Sequence, residues 1–153
     1  MTSLTVETDI CPSIESITDP QKLDHLARSS DVKVRRGVVV NRHTSSDTLL
    51  YLSNDLDWVI RFCIPSHANC PKEALLTLVK DPFSYVRLRV LSVLSLEPDV
   101  LDYGSVDRNP EVRLKVATHP RTRIETLATL SNDRDLSVSE TAKARLKKIT
   151  TTN

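Results

Sequence analysis

Apolar and polar positions along this chain recur with a period of 26 residues. Leucine stands at Leu23, Leu49, Leu75, Leu101 and Leu127, and a second leucine follows three residues later at Leu26, Leu52, Leu78 and Leu130, with Gly104 as the exception. That spacing puts both side chains of a pair on one face of a helix. Thr18 with Gln21, Thr44 with Asp47 and Thr122 with Glu125 read as capping boxes that open these helices, and Cys70 with Glu73 keeps half of the pattern. The pattern predicts helices over 45–53, 71–80, 97–103 and 123–131, after an incomplete module at 18–28.

The other half of each module carries a β-branched residue before an arginine: Val34–Arg35, Ile60–Arg61, Val86–Arg87 and Val112–Arg113, then Val138 with Ser139. Val38, Ile64, Val90, Val116 and Ala142 follow four residues after the β-branched residue, a helical spacing. This half is therefore a short helix, partly 3₁₀. Pro82 and Pro110 suit its starts, and Pro65 truncates its helix early. From Asp133 the last module runs on into a longer helix with Val138, Ala142, Leu146 and Ile149 on one face. Its outer face carries Lys143, Arg145, Lys147 and Lys148.

Self-similarity of this length is the mark of a solenoid. The expectation is an all-α chain of about four two-helix modules with terminal half-module caps, spanning 18–153. Residues 1–17 lie outside the repeat, and Ile10, Ile14 and Ile17 are spaced for a short helix capping the first module. The first nine residues are disordered or, through Leu4 and Val6, a short extended piece. The module VRLKVATHPRTRIETLATLSND resembles the leucine-rich repeat variant family and, more loosely, HEAT-like repeats. The resemblance covers about residues 18–146 and is strongest at 107–132. It implies a right-handed superhelix of alternating α- and short 3₁₀-type helices. Ordinary leucine-rich repeats need an L-x-x-L-x-L strand that this chain lacks. The family's best-known member is associated with an N-terminal cysteine cluster holding iron and sulfur. Only Cys11 precedes the repeats here, so that cluster is not carried over and no cofactor is expected.

Composition narrows the choice of function. Two glycines among 153 residues argue against a β-rich chain with many tight turns. The 21 basic and 20 acidic residues nearly cancel, leaving no global charge to draw the chain onto nucleic acid or an anionic membrane. No apolar run approaches a membrane span, and MTSLTVETDI lacks the basic start and apolar core of a signal peptide. Three cysteines with no disulfide-framework spacing favour a reducing compartment, so a cytoplasmic location is expected.

Candidate chemistry follows the same grid. Asp55, Asp81, Asp107 and Asp133 stand six residues ahead of the arginine column or its Ser139 continuation, with Ser29 in the first module. Arg35, Arg61, Arg87 and Arg113 could form a comb for phosphates or carboxylates, but strict periodicity favours a structural ladder pairing them with the aspartates. Cys63, His67 and Cys70 invite a zinc reading with His43 or Cys11 as fourth ligand. Each is also explained as a repeat position, so no metal is expected. Gly-rich phosphate loops, G-x-S-x-G and H-E-x-x-H are absent from the sequence, and aromatic residues are few. HEAT-like DNA-repair glycosylases are a precedent for catalysis on this architecture, yet the reading is a non-enzymatic protein-interaction scaffold. The alternative is nucleic-acid binding through Arg36, Arg42, Arg89, Lys115, Arg121, Arg123 and the C-terminal lysines. Apolar exceptions in polar columns mark candidate contacts. Val59 and Tyr85 stand where other modules have Lys33, Glu111 and Ser137. Phe83 stands where they have Asp31, Asp57, Asn109 and Asp135, and Trp58 adjoins Val59.

Overall fold

The computed structural model describes residues 11–151, which contain ten α-helices, two 3₁₀ segments and no strand. The all-α class expected from the periodicity is what these residues form. The chain divides into two compact units, the first ending at Leu78 and the second beginning at Val79. The first holds a 3₁₀ turn at Pro12–Ile14, then α1 (Pro20–Leu26), α2 (Val32–Val40), α3 (Ser46–Leu52), α4 (Trp58–Cys63), a 3₁₀ turn at Ile64–Ser66 and α5 (Lys72–Leu78). Within it α2 packs on α1 and α4, and α3 packs on α5. The second holds α6 (Ser84–Val90), α7 (Pro98–Ser105), α8 (Pro110–Thr118), α9 (Ile124–Leu130) and α10 (Leu136–Thr151). There α8 touches all four other helices, and α7 also packs on α9. No described helix is long and apolar enough to cross a membrane.

Helices of about seven residues do not stand alone in water, so packing must hold them. Leu23, Leu49, Leu101 and Leu127 are fully buried, as are Leu52, Leu78 and Leu130 of the second leucine column. Val38, Ile60, Ile64, Val86, Val90, Val112 and Val116 are also fully buried. Burial of such side chains contributes roughly 1.5–3 kcal/mol each, more than the few tenths that β-branching costs a helix. The alternation with 3₁₀ helices that the resemblance implied is absent from the described residues: α2, α4, α6 and α8 are α-helical. Among these halves only the continuation of α4, Ile64–Ser66, tightens to 3₁₀, because Pro65 has no N–H to return to the preceding turn and its ring crowds it.

Two further expectations need correction. Thr44 and Thr122 do not open helices. Each is buried and donates its hydroxyl to the carbonyl of Val38 or Val116 at 2.6 Å, a second bond to an acceptor that the N–H of Asn41 or His119 already engages at the end of the preceding helix. Side-chain N-caps lie one residue later, at Asp19 for α1 and Ser45 for α3. The expected N-terminal capping helix shrinks to the turn at Pro12–Ile14, and the expectations for residues 1–10 fall outside the described residues. Ile14 is nonetheless buried against α2, where a Cβ on Gly37 would lie 2.9 Å from its side chain. The amide of Asn41 donates to the carbonyls of Ile14 and Ile17 at 2.7 and 2.9 Å, tying the segment down.

Candidate interaction surface

Arginine and aspartate columns meet as bidentate pairs. Nε and Nη2 of Arg35 bind the carboxylate of Asp55, those of Arg87 bind Asp107, and those of Arg113 bind Asp133, at 2.5–3.0 Å. Nη1 of each then turns back to carbonyls five and six residues earlier, such as Asp81 and Pro82 for Arg87. Each paired carboxylate also accepts the N–H two residues on, from Asp57, Asn109 and Asp135. The side chains of Arg87, Asp107, Arg113 and Asp133 are 6–8% exposed, so these groups face inward. Burial alone would raise Asp107, but the Arg87 guanidinium and the Asn109 N–H hold it below the ordinary carboxylate range. The hydrogen bond from Arg113 lowers Asp133 in the same way.

A second column clips one module to the one before it. His67 Nε2 donates to the carbonyl of Asn41 at 2.9 Å and His119 Nε2 to that of Val93 at 3.0 Å. The carbonyls carry no proton, so Nε2–H is the tautomer, and Nδ1 accepts the N–H of Asn69 or Arg121. Burial, joined by Lys115, Arg145 and Arg121, pushes His119 below its ordinary value despite its bond to Val93. Arg145 occupies the next position of this column. Its place on the outer face of α10 is a further correction: Nη1 reaches the carbonyls of Ala117 and His119 at 2.9 and 2.6 Å. Both ring nitrogens of His67 are thus engaged in hydrogen bonds. Burial pushes the Cys70 thiol up to about 11. Among the described residues no three His, Cys, Asp or Glu side chains are grouped to hold a metal ion.

The candidate contact residues divide between the units. In the first, Val59 is buried, 6% exposed, so its place in an exposed patch is corrected. It sits in the first turn of α4, its N–H held by the Asp57 cap, and its side chain is taken into the interior. Trp58 is half-buried and meets Phe62 edge to face, centroids 6.2 Å apart. In the second, Phe83 and Tyr85 are 47% and 56% exposed. The structure adds what the pattern alone did not convey about Phe83. Asp31, Asp57 and Asn109 are the side-chain N-caps of α2, α4 and α8, whereas Phe83 holds the N-cap position of α6 with no side-chain cap bond.

Sequence reading missed a pair of clefts. One, of about 500 Å³, is lined in the first unit by Arg28, Arg35, Tyr51, Asp55 and Leu56 among others. The other, of about 330 Å³, is lined in the second unit by Lys80, Pro82, Arg87, Tyr103, Asp107 and Arg108 among others. Every residue lining the second stands 52 positions, two repeats, after one lining the first. Each holds a cation on an aromatic face: the Arg28 guanidinium carbon lies 4.4 Å from the Tyr51 centroid, and Lys80 Nζ lies 4.1 Å from that of Tyr103. The available signal was alternation over two modules. Tyr51 and Tyr103 alternate with Thr77 and Thr129 in one column.

Several arginines of the nucleic-acid reading are engaged. Arg36 pairs with Asp57 at 2.6 Å, Arg123 with Asp99 and Asp102, and Arg121 donates to the carbonyl of Ser95. In comparisons with protein-family models, curated proteins and solved structures, the chain matches none.

Proposed function

We propose that this chain is a non-enzymatic protein-interaction scaffold, a right-handed α-solenoid of about four modules of the leucine-rich repeat variant type, acting in the reducing cytoplasm. Recurrence of the same bonds at the same repeat positions supports the module reading. One observation carries the functional reading: the repeated charges serve internal bonds, while Phe83, a large exposed aromatic, stands where the other modules place a helix cap. A cap is worth about 1 kcal/mol, and exposed aromatics are common anchors at protein interfaces. A residue that forgoes the first and supplies the second fits recognition better than folding.

Affinity capture from the native cell with the Phe83→Ser/Tyr85→Ser variant tests this. Its melting temperature and helicity are checked first, and the folded variant is expected to lose most of its captured partner. Capture at full strength would place the binding surface elsewhere. A salt-dependent shift of generic DNA or RNA would instead favour the nucleic-acid alternative.

A further inference from the structure

Taking the scaffold reading as its basis, we infer that the two equivalent clefts are recognition pockets for the carboxylate side chains of an acidic partner segment, one at Tyr51 and one at Tyr103. The lining offers donors and apolar surface. In the second unit the Asp107 carboxylate is engaged by Arg87 and by the Asn109 N–H, and Asp81, which also lines the cleft, is 6% exposed and accepts the Phe83 N–H. Lys80 and Arg108 face the same cleft, where the Arg108 guanidinium donates to the Pro82 carbonyl at 3.3 Å and its charge helps to lower Asp107. Their ammonium and guanidinium groups have donor capacity beyond these contacts. In the first unit Asp55 is filled by Arg35 and the Asp57 N–H, and Arg28 touches Asp24 only at 3.4 Å.

Arg28 and Lys80 are each laid on a tyrosine ring, which fixes a long side chain that would otherwise wander in solvent. An arriving anion therefore meets a charge already in place. Beside it lie apolar walls, Leu56 at 98% exposure in the first cleft and Pro82 in the second. They suit the aliphatic stem of a glutamate or a neighbouring apolar residue. The charge of the guest follows from the same residues. Arg28 is the first cleft's only cation outside the ladder and already lies 3.4 Å from Asp24, too little positive charge for a phosphoryl group, which carries nearly twice that of a carboxylate; the second cleft has Arg108 beside Lys80. The exchange of Arg28 for Lys80 between equivalent positions also favours a point-charge contact over a bidentate fork.

Ring resonances of the full chain provide the test, because there are only three tyrosines. The probe is a blocked peptide with two glutamates and a leucine among alanines. Its controls are the same peptide with glutamine for glutamate, and inorganic phosphate. Addition of the glutamate peptide is expected to shift the Tyr51 and Tyr103 ring signals and leave Tyr85 unmoved. Lys80→Gln should weaken the Tyr103 response on the order of tenfold while sparing Tyr51, and Arg28→Gln the reverse. Lys80→Arg, which copies the other cleft, should retain it. Equal shifts from the glutamine peptide, stronger shifts from phosphate, or a Tyr103 response that survives Lys80→Gln would each overturn the assignment. The same capture experiment separates the two readings. Full-strength partner capture by a folded Arg28→Gln/Lys80→Gln chain sinks the clefts and leaves the scaffold standing. Failure of the unaltered chain to capture any partner sinks the scaffold itself.

Discussion

Phe83 and His119 show how a single residue can depart from its column or define it. Restoring the missing cap with Phe83→Asp should stabilise the chain by about 1 kcal/mol, read as a higher melting temperature, while weakening partner capture. A fall in melting temperature would mean that the ring contributes more to packing than the cap would. His119 binds as the neutral imidazole, because its Nδ1 faces the Arg121 N–H and three cations stand nearby. A folded-state value below the ordinary 6.5 means that the unfolded chain takes up the proton first. Stability from this residue is complete above pH 6.5 and is lost as the pH falls below it. Asn41 performs the same donation without titrating, so His119→Asn should keep the clip and flatten the stability profile between about pH 7 and 5. An unchanged profile in chemical denaturation would show that the acid response arises elsewhere.

At the scale of helices, the leucine and β-branched columns were legible because burial enforces them. The predicted 45–53 and 123–131 became Ser46–Leu52 and Ile124–Leu130. Cap residues were less legible. Thr44 and Ser45 can both accept a backbone N–H, and only the fold decides that the threonine turns inward to Val38. Gly104 illustrates the same limit. Its column asks for leucine, but a Cβ there would lie 2.8 Å from Val116 Cγ2 and 3.2 Å from Leu91. The Val116 side chain is β-branched and buried, so it has little room to yield. Gly104→Leu, which restores the repeat consensus, should therefore destabilise by about 1–3 kcal/mol in thermal melts, although leucine is much the better helix former. A stabilised variant would show that α7 can shift to make space.

Across the molecule, paired guanidinium and carboxylate groups recur in both units, and losing one partner matters more than the pair itself contributes. Arg87→Ala leaves the inward-facing Asp107 carboxylate without its bidentate partner and takes a donor from the carbonyls of Asp81 and Pro82. The expected cost is about 3–5 kcal/mol, measured by denaturant unfolding. A loss below 1 kcal/mol would show that water replaces the arginine freely. This column was visible in the sequence, as was the spacing of its members. Hidden there was the partner choice, since Asp81 and Asp107 both lie within reach of Arg87 by spacing alone. The clefts were hidden for another reason: comparing neighbouring modules suppresses any feature carried by every second one.

That alternation sets a rule for editing the chain. Ring and cation reach a common cleft from adjacent modules, Lys80 from one and Tyr103 from the next. Deleting one module would bring a lysine or arginine opposite a threonine and erase the cleft while leaving every leucine in register. Deleting or adding two would preserve the match. The chain thus has two grammars, a single-module one for holding together and a two-module one for what it displays.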